Sequence, residues 1–372
     1  MMESEHKITS TGTGPQKLDE KKRTGHGKPG VSGPWHVMAA YLTENSPELR
    51  QLNALRKRGW ENPESDQFFQ RQRKNADHSS AKNAKFFYGL MQKIGDELQK
   101  AVFAFTMASS DDYEPWILDT CMAPGGFLKM ALKHNSKAKA VALSLPEKDG
   151  GHKCLLPNNS SVEKHFVDIT MLAADIRIAT IPPDHPEVNK FLPRLLPTEK
   201  IFDLMLCDGQ VLRNHELAPY REKSEARRLT ASQLVLGLER LRPGGTIIFL
   251  MHKVEAWNSI QTLYAFSQFA KVILYKPTIG HAKRSSFYLI AKNVQSESQE
   301  ALSAIEWWRQ IWRAATFPAR DGSEEQVWQE DRWTAEEIIE SFGPELLKIA
   351  APIWKEQAKA LANTSFIKGS TG

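Results

Sequence analysis

The chain has 372 residues, 41% apolar and 25% charged, proportions that suit a globular protein with a sizeable core and exclude a low-complexity or fibrous one. It holds no run of about 18 apolar residues, so no helical membrane span is expected, and its three scattered cysteines, Cys121, Cys154 and Cys207, exclude a disulfide framework or a four-ligand zinc site; no metal is expected. The formal charge of +5 permits a polyanionic partner without demanding one.

Met1-Met2-Glu3-Ser4-Glu5-His6-Lys7 lacks the charged-then-apolar order of a secretory signal, which points to an intracellular protein, cytoplasmic or nuclear. Residues 1–34 are rich in Lys, Gly, Ser, Thr and Pro, include Lys21-Lys22-Arg23, and are expected to form a disordered basic tail. Residues 35–79 have helical patterning with many charges, Arg56-Lys57-Arg58 among them; they read as a loosely attached helical arm or a contact surface. Phe87, Leu90, Met91, Ile94, Leu98, Val102 and Phe105 then share one helical face.

Trp116-Ile117-Leu118-Asp119 reads as a buried strand closed by an acid. Pro124-Gly125-Gly126 follows as a turn that lets the backbone pass close to a ligand, and Phe127 to Leu132 resumes at helical spacing. A strand, a glycine turn and a helix make a nucleotide-type cofactor site. The spacing fits neither the G-x-G-x-x-G fingerprint nor the G-x-x-x-x-G-K-[ST] phosphate loop, so phosphate recognition is not favoured.

Further strands are expected over Ala138 to Leu145 and His165 to Ile169, then a proline-rich surface insertion from Ile181 to Pro197. Ile201 to Cys207 reads as the next strand, ending at Asp208-Gly209, and Leu229, Leu234, Leu238 and Leu241 mark a helix. Arg242-Pro243-Gly244-Gly245 is expected to turn the chain into the apolar strand Thr246 to Met251, which ends at His252-Lys253; Lys271 to Tyr275 and Phe287 to Ala291 complete a doubly wound α/β sheet. Beyond Asn293, Trp307, Trp308, Trp312, Trp328, Trp333 and Trp354 stand among basic residues such as Arg309 and Arg313, either as a base-stacking surface or as rings packing helices onto the core.

The glycine turn resembles that of the FtsJ-like family of S-adenosylmethionine-dependent RNA ribose 2′-O-methyltransferases, whose D-x-x-x-A-P-G-G-[FW] signature is matched by Asp119 and by Ala123 through Phe127. The resemblance covers residues 80–293. It implies a Rossmann-like methyltransferase sheet of seven strands, the last antiparallel, with helical extensions over 35–79 and 294–372, S-adenosylmethionine as cofactor and RNA as partner. The implied cofactor set is Asp119, Cys121, Ala123, Pro124, Gly125, Gly126 and Phe127 at the turn, Asp168 and Ile169 at the adenine, and Asp208. Ser144 stands where many such sites place an acid for the ribose hydroxyls.

The family's catalytic set is Lys-Asp-Lys-Glu. Asp208 matches its aspartate and Lys253 its central lysine, and Lys85 fits the first lysine through Ser80-Ala81-Lys82-Asn83-Ala84-Lys85-Phe86. Ser286, two residues before Tyr288, replaces the glutamate; a serine orients a lysine without bringing negative charge, so turnover is reduced or the acceptor differs. A ribose hydroxyl needs a base to become a nucleophile, and a lysine serves when a second cation and partial burial favour its neutral form. Asp208 and Lys253 as a plain structural salt bridge, a small-molecule acceptor, and a weakly catalytic scaffold remain alternatives. Protein partners are not legible.

Overall fold

The computed structural model describes residues 33–77, 81–107, 113–212, 215–317 and 331–368. The expected tail, apart from its last two residues, and Trp328 lie outside the described residues. The helices are α1 (Pro34–Asn45), α2 (Pro47–Trp60), α3 (Pro63–Asp77), α4 (Ala81–Val102), α5 (Gly126–His134), α6 (Glu225–Leu238), α7 (Trp257–Ser267), α8 (Gln299–Thr316), α9 (Ala335–Ala362) and α10 (Ser365–Lys368). The strands are β1 (Trp116–Asp119), β2 (Lys139–Ser144), β3 (Val162–Phe166), β4 (Phe202–Cys207), β5 (Leu241–His252), β6 (Lys271–Tyr275) and β7 (Ser286–Val294).

The strands form one seven-stranded sheet in the order β3-β2-β1-β4-β5-β7-β6. The first five run parallel, and β7 lies antiparallel between β5 and β6. Every residue of β4 is buried, as befits a central strand covered on both faces. This is the doubly wound sheet with a reversed seventh strand that the sequence predicted.

Two boundaries differ from expectation. The third strand is Val162–Phe166 and not His165 to Ile169; Asp168 follows it by two residues and caps a single 3-10 turn, accepting from the Thr170 amide. β3 is an edge strand with a half-exposed pattern, so its own residues carry little apolar signal, whereas Ile169 is buried from the turn beyond. Arg242 to Gly245, expected as a turn, lies within β5 with a register irregularity after Phe202 of β4.

On one face, α4 and α5 pack over β1 and β2 through Ile94, Leu98, Phe105, Phe127 and Leu128. On the other, α6, α7, α8, α9 and the amino-terminal α1 and α2 share a single apolar cluster. The arm is therefore not loose: Met38, Leu42, Leu49 and Leu52 are fully buried. Local chemistry starts these helices, with Ser46 accepting from the Leu49 amide ahead of Pro47, and Thr334 and Glu337 forming a capping box on α9.

Trp308, Trp312 and Trp354 are buried and Trp307 meets Trp333 edge to face, so these five rings pack the appendage onto the core. The proline-rich insertion is also partly internal. His185 bonds the Thr316 carbonyl at 3.0 Å, and Phe191 packs edge-on against Trp312. No helix among the described residues is long and apolar enough to cross a membrane.

α4 approaches the glycine turn more closely than a side chain would allow: a Cβ on Gly126 would stand 2.2 Å from the Tyr88 carbonyl oxygen. Gly126→Ala must push backbone away from backbone, and an overpacking loss of about 1–3 kcal/mol is expected. Urea unfolding of the variant and the natural protein checks this; equal midpoints would show that α4 is not seated by this contact.

Candidate active site

In a parallel sheet the carboxyl ends of the strands share one edge, and ligands bind there. Asp119 closes β1, Asp208 follows β4, and Lys253 follows β5, on three strands adjacent in the sheet. Ser286 opens the reversed β7 at the same edge, directly opposite His252. Four of the expected residues thus meet through topology alone. Lys85 sits in the second turn of α4, three residues before the Tyr88 contact with the glycine turn; it is exposed and makes no ion pair with Asp208.

Asp119 is buried and Asp208 partly so. Loss of water raises the Asp119 carboxyl well above its ordinary range, the Asp208 charge raises it further, and the Cys121 amide, donating to Oδ1 at 3.0 Å, opposes both. Burial likewise pushes Asp208 up, from 3.8 to about 7. Among the described residues neither carboxylate is in an ion pair, so the alternative of an Asp208–Lys253 salt bridge is not formed there. Cys121 and Cys207 are likewise driven toward the neutral thiol, first by burial.

Sequence reasoning missed the residue that joins these strand ends. Gln233, buried in α6, accepts from the Gly209 amide at 2.9 Å and from Thr120 Oγ1 at 3.3 Å, and returns a bond to the Gly209 carbonyl at 3.3 Å. Its signal was a polar residue inside the apolar run Leu229 to Leu238. Gly209 itself is required by crowding, since a Cβ there would meet Cys121 Sγ at 2.2 Å.

The glycine turn begins α5 with Gly125 at φ 103°, a conformation that glycine adopts freely. A Cβ on Gly125 would press on Leu156 at 2.8 Å, and the Leu155 amide donates to the Pro124 carbonyl at 2.9 Å. Both glycines of the motif are thus demanded by neighbouring protein, and Cys154 to Leu156 covers the outer side of the turn. Ser144 receives the Ala123 amide at 3.4 Å.

The remaining two positions ride on paired loops. Lys253 has φ 61°, an unusual left-handed lysine, and its amide donates to the Ser285 carbonyl at 2.8 Å. Ser286 Oγ bonds His281 Nδ1 at 2.6 Å. Beneath them Lys276 donates to the carbonyls of His281, Arg284 and Ser286 at 3.0, 2.6 and 2.8 Å. Burial, aided by Arg56, lowers Lys276 to about 7; burial, then Lys276 and Arg284, lowers His281 to about 3, so the ring that faces Ser286 is neutral.

The sequence over residues 95–294 matches the model of the FtsJ-like methyltransferase family. That is more than half of the chain. The chain belongs to the FtsJ-like methyltransferase family. No curated protein matches it. Among solved structures it is similar to an rRNA methylase from Streptococcus thermophilus, at 12% identity and TM-score 0.30 over 56% of this chain and 95% of that one. It is also similar to the N-methyltransferase NodS from Bradyrhizobium japonicum WM9, at 11% identity and TM-score 0.33 over 55% and 97%. Human methyltransferase-like protein 13 in complex with SAH matches at 12% identity and TM-score 0.31 over 61% and 90%.

An FtsJ-like methyltransferase uses S-adenosylmethionine, which when bound supplies an electrophilic methyl group on a sulfonium cation. The residues present fit that cation. Among the described residues Asp119 and Asp208 are desolvated carboxylates without a counter-charge, and the Tyr288 hydroxyl, fully buried beside Asp208, with its ring stacked against Phe127, has no hydrogen-bond partner there.

Asp168 is held on the same edge by side chains that the sequence did not single out. Its Oδ1 accepts from the Thr170 amide and hydroxyl at 2.9 and 2.7 Å, and its Oδ2 from Arg221 at 2.6 Å. Burial opposes the charge, but Arg221 and Thr170 prevail and keep the carboxyl below its ordinary range. Asp168, His215 and Glu225 offer ligand atoms within 4.8 Å of one another, yet Arg221 already pairs with both carboxylates.

The raised pKa of Asp208 has a consequence for stability whose sign can be tested. Its folded value lies above its unfolded one, so the native state holds the proton more tightly, and stability is lost as pH climbs from about 4 to about 7. Asp208→Asn removes that loss. Urea unfolding of the ligand-free protein is expected to show the variant gaining more over the natural chain at pH 8 than at pH 5; an equal difference at both would refute the assignment.

Proposed function

We propose that this methyltransferase acts on ribose 2′-hydroxyls of RNA, with Lys253 as the base. One observation carries the reading: Asp119, Asp208, Lys253 and Ser286 close at one sheet edge, beside the glycine turn that bears the family signature. In the proposed arrangement the catalytic unit spans residues 80–293, and the helices over 35–79 and 294–372 serve as its scaffold. An RNA acceptor places the enzyme where RNA is found, in cytoplasm or nucleus.

Each residue's task follows from its surroundings. Asp119 and Asp208 face the cofactor's positive end, where burial strengthens the attraction. Lys253 is exposed, so the partial burial expected of a lysine base is not met, and in this proposal the positive charge that favours its neutral form comes from the bound cofactor; it removes the proton as oxygen attacks carbon, and most of the acceleration comes from aligning the two reactants. Ser286 and neutral His281 orient that amine without adding charge. Lys82 and Lys85 are exposed on the first turns of α4 beside Phe86, itself 62% exposed, a combination that suits a phosphate backbone with a stacked base.

Labelled methyl transfer to fractionated RNA, followed by nuclease digestion, is expected to yield 2′-O-methylnucleosides. Lys253→Ala is expected to lower the rate by about 100-fold or more, the usual scale of general-base loss, with cofactor affinity unchanged. Label in a small molecule alone, or cofactor binding with no transfer to any RNA fraction, overturns the reading of the acceptor; full activity in Lys253→Ala overturns the base.

A further inference from the structure

The family match ends well inside the chain on both sides, yet side chains from beyond it reach the loops of Lys253 and Ser286. Arg56 of α2 donates from Nη1 to Oε1 of Glu255 at 2.5 Å, and from Nη2 to Ser285 Oγ at 3.3 Å and Gln357 Oε1 at 3.1 Å. The other oxygen of Glu255 accepts from Trp354 Nε1 of α9 at 3.0 Å. Gln357, also on α9, closes the ring on Ser285 Oγ at 3.4 Å. Arg56 and Glu255 side chains are only 9% and 11% exposed, so water screens the pair weakly.

The positions gripped are telling. Glu255 lies two residues after Lys253, and Ser285 directly precedes Ser286 while its carbonyl accepts the Lys253 amide. Lys253 is in the left-handed region, which a lysine leaves when its neighbours release it. The other bonds near this turn, Ala256 amide to Lys253 carbonyl at 2.9 Å and Ser259 hydroxyl to His252 carbonyl at 3.0 Å, are short-range, whereas Arg56 bonds to both loops at once, and Trp354 and Gln357 tie the same two residues, Glu255 and Ser285, to α9.

We propose that Arg56 and Glu255 are positioning residues for methyl transfer, and that α2 and α9 act through them to hold Lys253 and Ser286 in their working places. The inference rests on Lys253 being the base. Its alternative is an ordinary ion pair that only joins helices, and the two differ kinetically. A misplaced base slows the chemical step while leaving the glycine turn and the Asp168 region intact, and a displacement of about 1 Å costs on the order of 100-fold.

The test compares Arg56→Met, Arg56→Lys, Glu255→Gln and Lys253→Ala in the full chain, by methyl transfer to the RNA fraction that accepts label and by calorimetric titration with S-adenosylmethionine. The expected result is a kcat about 30-fold to 100-fold lower for Arg56→Met, with cofactor KM and Kd within about threefold of the natural protein. Glu255→Gln, isosteric and milder for folding, is expected to show the same split. Arg56→Lys, which cannot reach Glu255, Ser285 and Gln357 together, is expected to recover the rate in part. Normal kcat in Arg56→Met and Glu255→Gln beside an inactive Lys253→Ala overturns the positioning role alone. A parallel fall of kcat and cofactor affinity assigns the pair to structure and also overturns it. An active Lys253→Ala overturns the base assignment, and the positioning of a base with it.

Discussion

Two carboxylates end neighbouring parallel strands with no cation paired to them among the described residues, and much of this molecule is arranged around that constraint. Asp119 and Asp208 stand where β1 and β4 stop, so backbone pairing alone brings them together. Ionising both in a desolvated corner is unfavourable, and the pair retains a proton toward neutral pH. The unpartnered Tyr288 hydroxyl lies buried beside Asp208, and Gln233 ties the two strand ends together. A cationic ligand relieves the imbalance that the fold imposes. A neutral one does not, which gives the sulfonium cofactor of this family a physical reason to prefer this edge.

Legibility followed sequence distance. The unit from Trp116 to Leu132 was readable because strand, glycine turn and helix are contiguous, and each has a local signature. Asp208 and Lys253 were readable because each follows a largely apolar run. β3 was misplaced since an edge strand half exposed to solvent has a weak pattern, and the apolar residues after it bury themselves from a 3-10 turn. What no local pattern records is the meeting of Arg56 with Gln357 or of Arg221 with Asp168, because such pairs are chosen by packing after the sheet has formed. The motif turn also held a surprise: its glycines yield to Tyr88 and Leu156, so the signature encodes the seating of α4 and of the 154–156 segment as much as a ligand's approach.

The flanking helices illustrate how an apolar face can be read correctly and placed wrongly. Charge density over residues 35–79 suggested a loosely attached arm or a contact surface, yet the arm's leucines enter the same cluster as the central strands. The tryptophans of α8 and α9 complete that cluster from the other end of the chain. Chain ends that share a core with the sheet cannot shift independently of it, and through Glu255 and Ser285 they share the candidate catalytic loops as well.

The family resemblance implies adenine at Asp168, and the lone pairs of that carboxylate bear on the expectation. Each carboxylate oxygen accepts about two hydrogen bonds. Thr170 fills Oδ1 with its amide and hydroxyl, and Arg221 takes one place on Oδ2, which leaves one acceptor with His215 Nε2 3.9 Å from it. An exocyclic amino group that presents one hydrogen to a carboxylate needs no more than that. Arg221, itself fastened by Glu225, then holds the carboxylate ionised and fixes its rotation, so that the vacant acceptor points one way. The same Arg221 pairs with both Asp168 and Glu225, so a guanidinium already stands between the two carboxylates that a metal ion would have to bridge.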